Sequence, residues 1–234
     1  VIRSGDTIVE IAAPPERVQT LSLGHDEIIV AIAGTEHMVG VGSFTANETY
    51  SNVAAEVAHL PQIQRDPEQV VALRPDIVIA SKYTKQDLLD SIAGTGITVI
   101  RTELESSVGG HEANIRALAY ILGEEESAEV LIAEIRDRIE LIAGLTEDVS
   151  SDDRPAVLSI ARFSDSISAA GANSTEGGII EQAGGINAAA EAGLDGHNTI
   201  SAESIIAMNP DVIVITQPDP GASAPKDDLI GTPC

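Results

Sequence analysis

The sequence predicts an α/β fold of two lobes with mostly parallel sheets, joined by a single long helix. One helix-then-strand motif occurs twice, apolar strand-like runs alternate with helix-like runs, and an uninterrupted amphipathic stretch separates the two halves. At 234 residues and 43% hydrophobic, the chain can bury one large core or two small ones. Two lobes of similar size are therefore a natural partition.

The repeated motif begins with glutamate and ends in an apolar strand. The first copy reads EQVVALRPDIVIAS from Glu68 to Ser81, and the second reads ESIIAMNPDVIVIT from Glu203 to Thr216. In each copy proline ends a short helix because it cannot continue the helical hydrogen bonds. The alternating isoleucine and valine that follow predict a buried parallel strand. Each copy is thus a helix leading directly into a strand.

The remaining elements follow from the same signals in chain order. In the first half we predict a strand over 18–22, a helix ending at 33–34, a helix capped by Thr84 and ended by Gly94, a strand over 97–101 and a helix over 112–122. In the second half we predict a strand over 156–159, a helix ending at 183–184 and extra residues at 165–174. Alternation of this kind predicts sites at the carboxyl ends of parallel strands.

The stretch between the halves predicts one long helix. No turn signal interrupts 124–144, and apolar residues recur there at helical spacing, at Leu131, Ile135, Ile139, Ile142 and Leu145. A helix of about 20 residues is roughly 30 Å long, enough to cross a small domain. We therefore divide the chain into an N-terminal lobe at 1–123, a connecting helix at 124–147 and a C-terminal lobe at 148–234.

Composition excludes several classes of protein. The net charge is −24 with only 13 lysines and arginines, which argues against a nucleic-acid partner. Dispersed acidic residues are typical of a high-salt surface, where salt screens self-repulsion. The single cysteine, Cys234, allows no intramolecular disulfide, and no run of eighteen apolar residues occurs. A signal or membrane anchor is expected to lie outside these residues.

Further motifs occur in a characteristic order. They are RVQTLS from Arg17, EIIVAIAG from Glu27, MVGVG from Met38, LPQI from Leu60, the two Pro-Asp strands, EGGIIEQAGGIN from Glu176 and ISAE from Ile200. In this order the chain resembles the helical-backbone class of periplasmic binding proteins, the ABC importer receptors for ferric siderophores, haem and cobalamin. Members usually continue past the second Pro-Asp strand, so the second lobe is expected to be incomplete here.

The resemblance implies a function without chemistry. The ligand, an iron chelate, haem or a corrinoid, would sit between the lobes, which close on it with a small hinge motion, and no other cofactor is required. The partners implied are this small molecule and the permease dimer of an ABC importer, with an extracytoplasmic location at the membrane.

The same resemblance places the ligand against loops that follow the strands. The candidate ligand-binding residues in those loops are His25, Phe44, Lys82, Tyr83, Glu103, Arg162, Phe163, Asn173, His197 and Gln217. His25 and Tyr83 are candidates for iron coordination, because histidine and tyrosine are known axial haem ligands. The alternative is that His25 caps the helix starting near Asp26 and Tyr83 covers the cleft floor.

Charged and aromatic side chains complete the candidate set. Lys82, Arg101 and Arg162 would pair with ligand carboxylates, although ordinary surface ion pairs are the default. Phe44 and Phe163 would pack on a flat ring system. In the family a glutamate on each lobe docks onto permease arginines, and Glu68 and Glu203 match it. The alternative for both is a helix-start residue favoured by the helix dipole.

Two other functions stay open at this point. Direct binding of a bare zinc or manganese ion would need distant loops to converge, since the five histidines lack the close spacing of a helix-borne site. An enzyme on a doubly wound fold is disfavoured because the common phosphate-loop, dinucleotide and nucleophile-elbow motifs do not occur. Asp165, Ser166 and His197 would form a triad only by accident of folding.

Overall fold

The computed structural model describes residues 2–4, 7–103, 108–163 and 166–216. This described chain divides into two compact units, with the change between Glu134 and Ile135. We call the first unit 1 and the second unit 2, and each has its own sheet.

Unit 1 is built on a five-stranded parallel sheet and a separate antiparallel hairpin. Its strands are β1 (Ile2–Ser4), β2 (Thr7–Val9), β3 (Val18–Thr20), β4 (Met38–Gly42), β5 (Gln62–Ile63), β6 (Ile77–Ser81) and β7 (Thr98–Thr102). Its first four helices are α1 (Leu23–Ala33), α2 (Pro67–Ala72), α3 (Gln86–Ala93) and α4 (Val108–Leu122). The sheet order is β5-β4-β3-β6-β7, with every neighbouring pair parallel, while β1 pairs with β2.

The central strands of this sheet are buried, as the sequence predicts for β6, although β3 contains the polar residues Gln19 and Thr20. All five residues of β6 are buried, and Val18 and Ile100 on the neighbouring strands have no exposed surface. Strands of a parallel sheet are covered on both faces, so a continuous run of isoleucine and valine fits where an alternating one would not. Val70 of α2 and Ile92 of α3 pack with Val78 and Ala80 of β6 in one core cluster.

The long helix α5 (Glu125–Thr146) confirms the helix predicted over 124–144. At 22 residues it is about 33 Å long. Ala128 and Ile132 are buried in unit 1, whereas Leu141 and Leu145 are exposed. None of the helices in the described ranges has the length and hydropathy that crossing a bilayer requires. The role of α5 as a connector stays a prediction.

Unit 2 has a mixed sheet. Its strands are β8 (Ala156–Phe163), β9 (Ser166–Ala170), β10 (Ile186–Asn187), β11 (His197–Ile200) and β12 (Val212–Thr216), and its helices are α6 (Thr175–Gln182), α7 (Ala188–Glu191) and α8 (Ala202–Met208). Strand β12 is parallel to β8, as predicted, and β10, which the sequence analysis did not predict, is parallel to β8 as well. Strand β9 runs antiparallel to both β8 and β11, which the sequence did not predict. The extra residues placed at 165–174 thus contain a strand.

The aspartate of each Pro-Asp motif has the same contacts in both units. The Oδ2 atom of Asp76 accepts hydrogen bonds from the backbone N–H groups of Glu16 and Arg17, at 3.0 and 2.9 Å, and its own N–H donates to the carbonyl of Arg17. Asp211 does the same at the start of β8, accepting from the N–H of Ala156 at 2.8 Å and donating to its carbonyl. Each aspartate therefore fixes the register between its own strand and the neighbouring one.

One predicted helix start is wrong. Helix α3 begins at Gln86 with Lys85 as its N-cap, so Thr84 does not cap it. The Thr84 side chain is buried instead, and its hydroxyl has no partner among the described residues. The C-terminal signals hold better, because Gly34 and Gly123 take left-handed conformations directly after α1 and α4.

Candidate ligand-binding site

The parallel sheet of unit 1 brings several predicted residues to one edge. The carboxyl ends of β3, β4, β6 and β7 lie at the same edge because these strands run in one direction. Phe44 follows β4, Lys82 and Tyr83 follow β6, and Glu103 follows β7. We call this the unit 1 edge. The structure thus gathers four of the predicted ligand-binding residues on the strand ends of a single sheet.

Aromatic side chains concentrate at the unit 1 edge. The whole chain has only five aromatic residues, and three of them, Phe44, Tyr50 and Tyr83, lie in loops at this edge. Phe44 is 54% exposed and Tyr83 is 73% exposed. Phe44 and Tyr50 form an edge-to-face pair with ring centroids 5.0 Å apart. Exposed rings that are held in place are suited to packing against a flat ligand.

Two cationic side chains lie near the ends of β6 and β7. The ammonium of Lys82 sits 5.6 Å from the centre of the Tyr83 ring and 4.0 Å from a carboxylate oxygen of Glu103. Arg101 of β7 donates to the carbonyl of Lys82 and, at 3.2 Å, to the side chain of Gln86. Its Nε atom is buried and has no partner among the described residues. Two cationic groups, Lys82 and Arg101, therefore lie near the end of β6, one of them paired with Glu103.

A cavity of about 230 Å³ opens at the ends of β3, β4 and β5. Its lining includes Thr20, Asp26, Phe44, Thr45 and Arg65. Asp26 forms the buried part of this lining, and its carboxylate accepts hydrogen bonds from the hydroxyls of Thr20 and, at 2.6 Å, Thr45. Burial raises the pKa of Asp26 to about 6, although the two hydroxyls act in the opposite direction.

The sequence did not single out Asp26. A lone aspartate in the first turn of a helix is usually a residue favoured by the helix dipole and exposed to water. The signal that would have found it is Thr20 at the end of the preceding strand together with Thr45, but only the fold brings these hydroxyls to the carboxylate.

His25 fits neither of its two predicted roles. It lies in the first turn of α1, whose N-cap is Ser22, so it does not cap this helix. Its ring has no exposed surface, and Nε2 is 2.7 Å from the hydroxyl of Thr102. A buried ring bonded in this way does not present a nitrogen to a ligand at the edge. Burial lowers the pKa of His25 to about 4, so the ring is neutral at physiological pH.

In unit 2 the antiparallel strand moves two predicted residues away from the expected edge. Because β9 runs back along β8, the loop after β9 lies at the side where β8 begins. Asn173 follows there and donates to the carboxylate of Asp195 at 2.9 Å. His197 starts β11 opposite Ala170 and lies 3.1 Å from the carboxylate of Glu176. Asn173 thus follows a strand, as expected, but that strand is antiparallel to β8, so neither residue lies at the carboxyl end of the parallel strands.

The other predicted residues of unit 2 are only partly described. Arg162 and Phe163 are the last two residues of β8, at its carboxyl end, but their side chains lie outside the described part. Gln217 directly follows β12 and also lies outside the described residues, as does Asp165.

Glu68 and Glu203 occupy the same position in two short helices. Each is the second residue of its helix, α2 or α8, and both are exposed. Helix α2 follows β5, and α8 follows β11, whose last residue Ile200 pairs with Ile167 beside the end of β8. Each glutamate thus lies on the strand-end side of its own sheet. Hydrogen bonding to its own backbone N–H and to Ser201 lowers the pKa of Glu203.

Within the described ranges, no three histidine, cysteine, aspartate or glutamate side chains converge in an arrangement that would hold a metal ion. The distant histidines therefore do not form a shared site in that part of the chain.

Comparisons with known proteins agree with these features. A family model described as "Periplasmic binding protein" matches residues 18–234. A cobalamin-binding protein of Halobacterium salinarum is 29% identical over 212 residues, which cover 90% of this chain and 56% of that protein. An uncharacterised ABC transporter substrate-binding lipoprotein of Bacillus subtilis, YvrC, is 25% identical over 211 residues, 89% of this chain and 66% of that protein.

A solved structure resembles the chain over most of its length. The periplasmic haem-binding protein from Pseudomonas aeruginosa superimposes with a TM-score of 0.78 at 25% identity, covering 92% of this chain and 77% of that one. The chain spans about half the length of the cobalamin-binding relative.

Proposed function

Because the chain belongs to the periplasmic binding protein family, we propose that it is the ligand-binding receptor of an ABC importer. Its ligand is a haem, a corrinoid or an iron chelate, captured without chemical change. The observation that carries this proposal is the match over both repeats of the chain, together with relatives named for cobalamin and haem binding.

The unit 1 edge supports a flat, partly apolar ligand. Phe44, Tyr50 and Tyr83 supply exposed rings, and a ring stacked on a macrocycle buries apolar area on both sides. The ends of β4 and β6 lie on either side of β3, about 10 Å apart at the usual strand spacing. Aromatic groups at that separation suit a ligand wider than a sugar, an amino acid or a bare ion.

Lys82 and Arg101 support the presence of anionic groups on the ligand. The Lys82 ammonium lies beside the exposed Tyr83 ring, and Arg101 bonds the carbonyl of Lys82, so carboxylates at the rim of a macrocycle or chelate would reach this end of β6. The pairing of Lys82 with Glu103 at 4.0 Å is an exposed ion pair, worth little on its own and readily exchanged for a ligand carboxylate.

A binding panel tests the ligand class. Haemin, cyanocobalamin and ferric siderophores are titrated in high salt, with quenching of tyrosine fluorescence as the signal because the chain contains no tryptophan. Phe44→Ala and Tyr83→Ala should each weaken binding of the active compound about tenfold, from the loss of stacked area. Tyr120→Ala is the matched control, since this tyrosine is also exposed but lies on α4. Binding of free zinc or manganese alone would overturn the proposal.

Glu68 and Glu203 are proposed to dock onto the permease dimer. Both are exposed at equivalent helix positions on the strand-end sides of the two sheets. Replacing both with alanine should leave ligand affinity and folding nearly unchanged while lowering transporter-dependent uptake, and the double variant should be worse than either single one. Glu140→Ala, an exposed glutamate of α5, serves as the control. Unchanged uptake with a lower melting temperature would mean that both residues only start their helices.

The proposed location is outside the cytoplasm, with membrane attachment through an anchor outside these residues. The Bacillus relative is named a lipoprotein, which supports this arrangement. The acidic surface supports a high-salt setting, and the cobalamin-binding relative comes from Halobacterium.

A further inference from the structure

The segment 43–52 carries two of the exposed rings and contains no helix or strand. It leaves the end of β4 and forms turns, with Phe44 near its start and Tyr50 near its end. Surface segments of this kind are usually more mobile than the elements they connect. A binding surface that uses Phe44 and Tyr50 therefore needs something to hold the segment in place.

Two consecutive acidic residues of α1 hold it at two points. The carboxylate of Asp26 accepts a hydrogen bond from the hydroxyl of Thr45 at 2.6 Å. The carboxylate of Glu27 accepts from the hydroxyl of Ser51 at 3.2 Å and from the backbone N–H of Asn52 at 3.3 Å. Each acid thus contacts a residue next to an aromatic ring, because Thr45 follows Phe44 and Ser51 follows Tyr50.

The anchor at Asp26 is buried. Asp26 and Thr45 are each only 1% exposed, so water does not compete for their hydrogen bond. Hydrogen bonds to charged groups are stronger than those between neutral groups, and a buried carboxylate that loses a donor has nothing to replace it. Glu68 also lies in the first turn of a helix, but its side chain is exposed, so burial distinguishes Asp26 from an ordinary acidic residue at a helix start.

The geometry points to Asp26 and Glu27 as positioning residues that hold the segment 43–52, and with it Phe44 and Tyr50, in the ligand-binding arrangement at the unit 1 edge. This inference rests on the proposed function for its ligand, but the anchoring itself can be measured without one. Preorganised rings lose little freedom on binding, so loosening the segment should lower affinity although no ligand contact is removed.

Thr45→Val is the central variant because it removes the hydroxyl while keeping the shape of the side chain. Loss of one hydrogen bond to a charged group should raise the detached fraction of the segment about tenfold or more. Thr45→Ser restores the donor and should recover the wild-type behaviour. Thr49→Val is the matched control, since this threonine lies in the same segment, its backbone N–H is bonded to Asn47, and its hydroxyl bonds no other described residue.

The mobility of the segment is read from a single tryptophan. In a Phe44→Trp background the protein has one tryptophan, so its anisotropy and its quenching by acrylamide report on this segment alone. Thr45→Val should lower the anisotropy and increase the quenching, whereas Thr45→Ser and Thr49→Val should not. Ser51→Ala probes the other anchor and keeps the test decisive if Thr45→Val does not fold.

Affinity for whichever of haemin, cyanocobalamin or a ferric siderophore binds is then measured with Phe44 restored. A drop of about fivefold or more in Thr45→Val, with Thr45→Ser near wild type, supports positioning for the ligand. An unchanged tryptophan signal in both Thr45→Val and Ser51→Ala overturns the anchoring. A mobile segment with unchanged affinity overturns its link to the ligand. If no probe binds even the wild type, the proposed function fails while the tryptophan result still decides the anchoring.

Discussion

His25 and Asp26 are adjacent and buried, and burial shifts their pKa values in opposite directions. These shifts predict how the stability of the protein depends on pH. Burial lowers the pKa of His25 from 6.5 to about 4 and raises that of Asp26 from 3.8 to about 6. A change of one in pKa corresponds to about 1.4 kcal/mol, so changes of this size alter the free energy of unfolding by about 3 kcal/mol for each residue.

The two contributions have opposite signs. The folded-state pKa of His25 is depressed, so its contribution is fully present above pH 6.5 and is lost as the pH falls through about 4. The folded-state pKa of Asp26 is raised, so its contribution is fully present below pH 3.8 and is lost as the pH rises through about 6. Between these limits the two slopes nearly cancel in the wild-type protein.

Single substitutions should expose each slope. Relative to wild type, the free energy of unfolding of Asp26→Asn should fall by about 3 kcal/mol as the pH drops from about 6 to 3.8, because the variant lacks the contribution that protonation of Asp26 makes there. His25→Gln should show the opposite trend, rising relative to wild type as the pH falls. An asparagine can still pair with Thr20 and Thr45, because their hydroxyls rotate to donate or accept.

Urea unfolding followed by circular dichroism at several pH values measures these differences. Comparison with wild type at each pH removes the contributions of the other carboxylates, which both proteins share. His37→Gln is the control, since His37 is exposed. Curves for Asp26→Asn and His25→Gln that run parallel to the wild-type curve would refute the reasoning, because they would mean that neither residue titrates differently in the folded and unfolded chain.

Three further predictions concern the stability of the chain. Asp76→Ala and Asp211→Ala should each lower the free energy of unfolding by about 1 kcal/mol in urea titrations, since each frees the backbone N–H groups of the neighbouring strand. Gly171→Ala should lower it by about 2 kcal/mol or more, because an added methyl would overlap the carbonyl of Leu194, whereas Gly109→Ala, with open space around it, should not. Raising potassium chloride from about 0.1 to 2 M should raise the melting temperature in thermal scans by screening the net charge of −24.

The central strands and helices were predictable because their signals are local. The apolar run Ile77–Ser81 is buried at every position, and Gly34 and Gly123 end their helices as the sequence indicates. Strands β9 and β11 were missed because Ser166–Ala170 and His197–Ile200 contain mainly small or polar residues, which carry no clear pattern of alternation. The pairing of β9 with both β8 and β11 supplies the stability that their own sequences do not indicate.

The positions of the candidate site residues were predictable only in the sheet whose strand directions were predicted correctly. In the all-parallel sheet of unit 1, the residue after each strand lies at one edge, so Phe44, Lys82 and Tyr83 were placed correctly at the strand ends. In unit 2 the reversal at β9 carries Asn173 to the other side of the sheet. Asp26 was not predicted as a site residue for a different reason. The hydroxyls that bond it belong to Thr20 and Thr45, and only the fold brings them to its carboxylate.

Each copy of the duplicated motif contains a glutamate and an aspartate, and the structure shows that these two residues have different surroundings. Asp76 and Asp211 bond the backbone of the neighbouring strand in the same way, which gives a structural reason for aspartate in both copies. Glu68 and Glu203 are exposed, and no hydrogen bond joins the Glu68 carboxylate to another described residue, although Glu203 contacts its own helix start. A structural role therefore explains the aspartate in both copies, and it explains Glu203 only in part. Glu68 is the stronger candidate for docking, so Glu68→Ala should reduce uptake with a smaller loss of stability than Glu203→Ala.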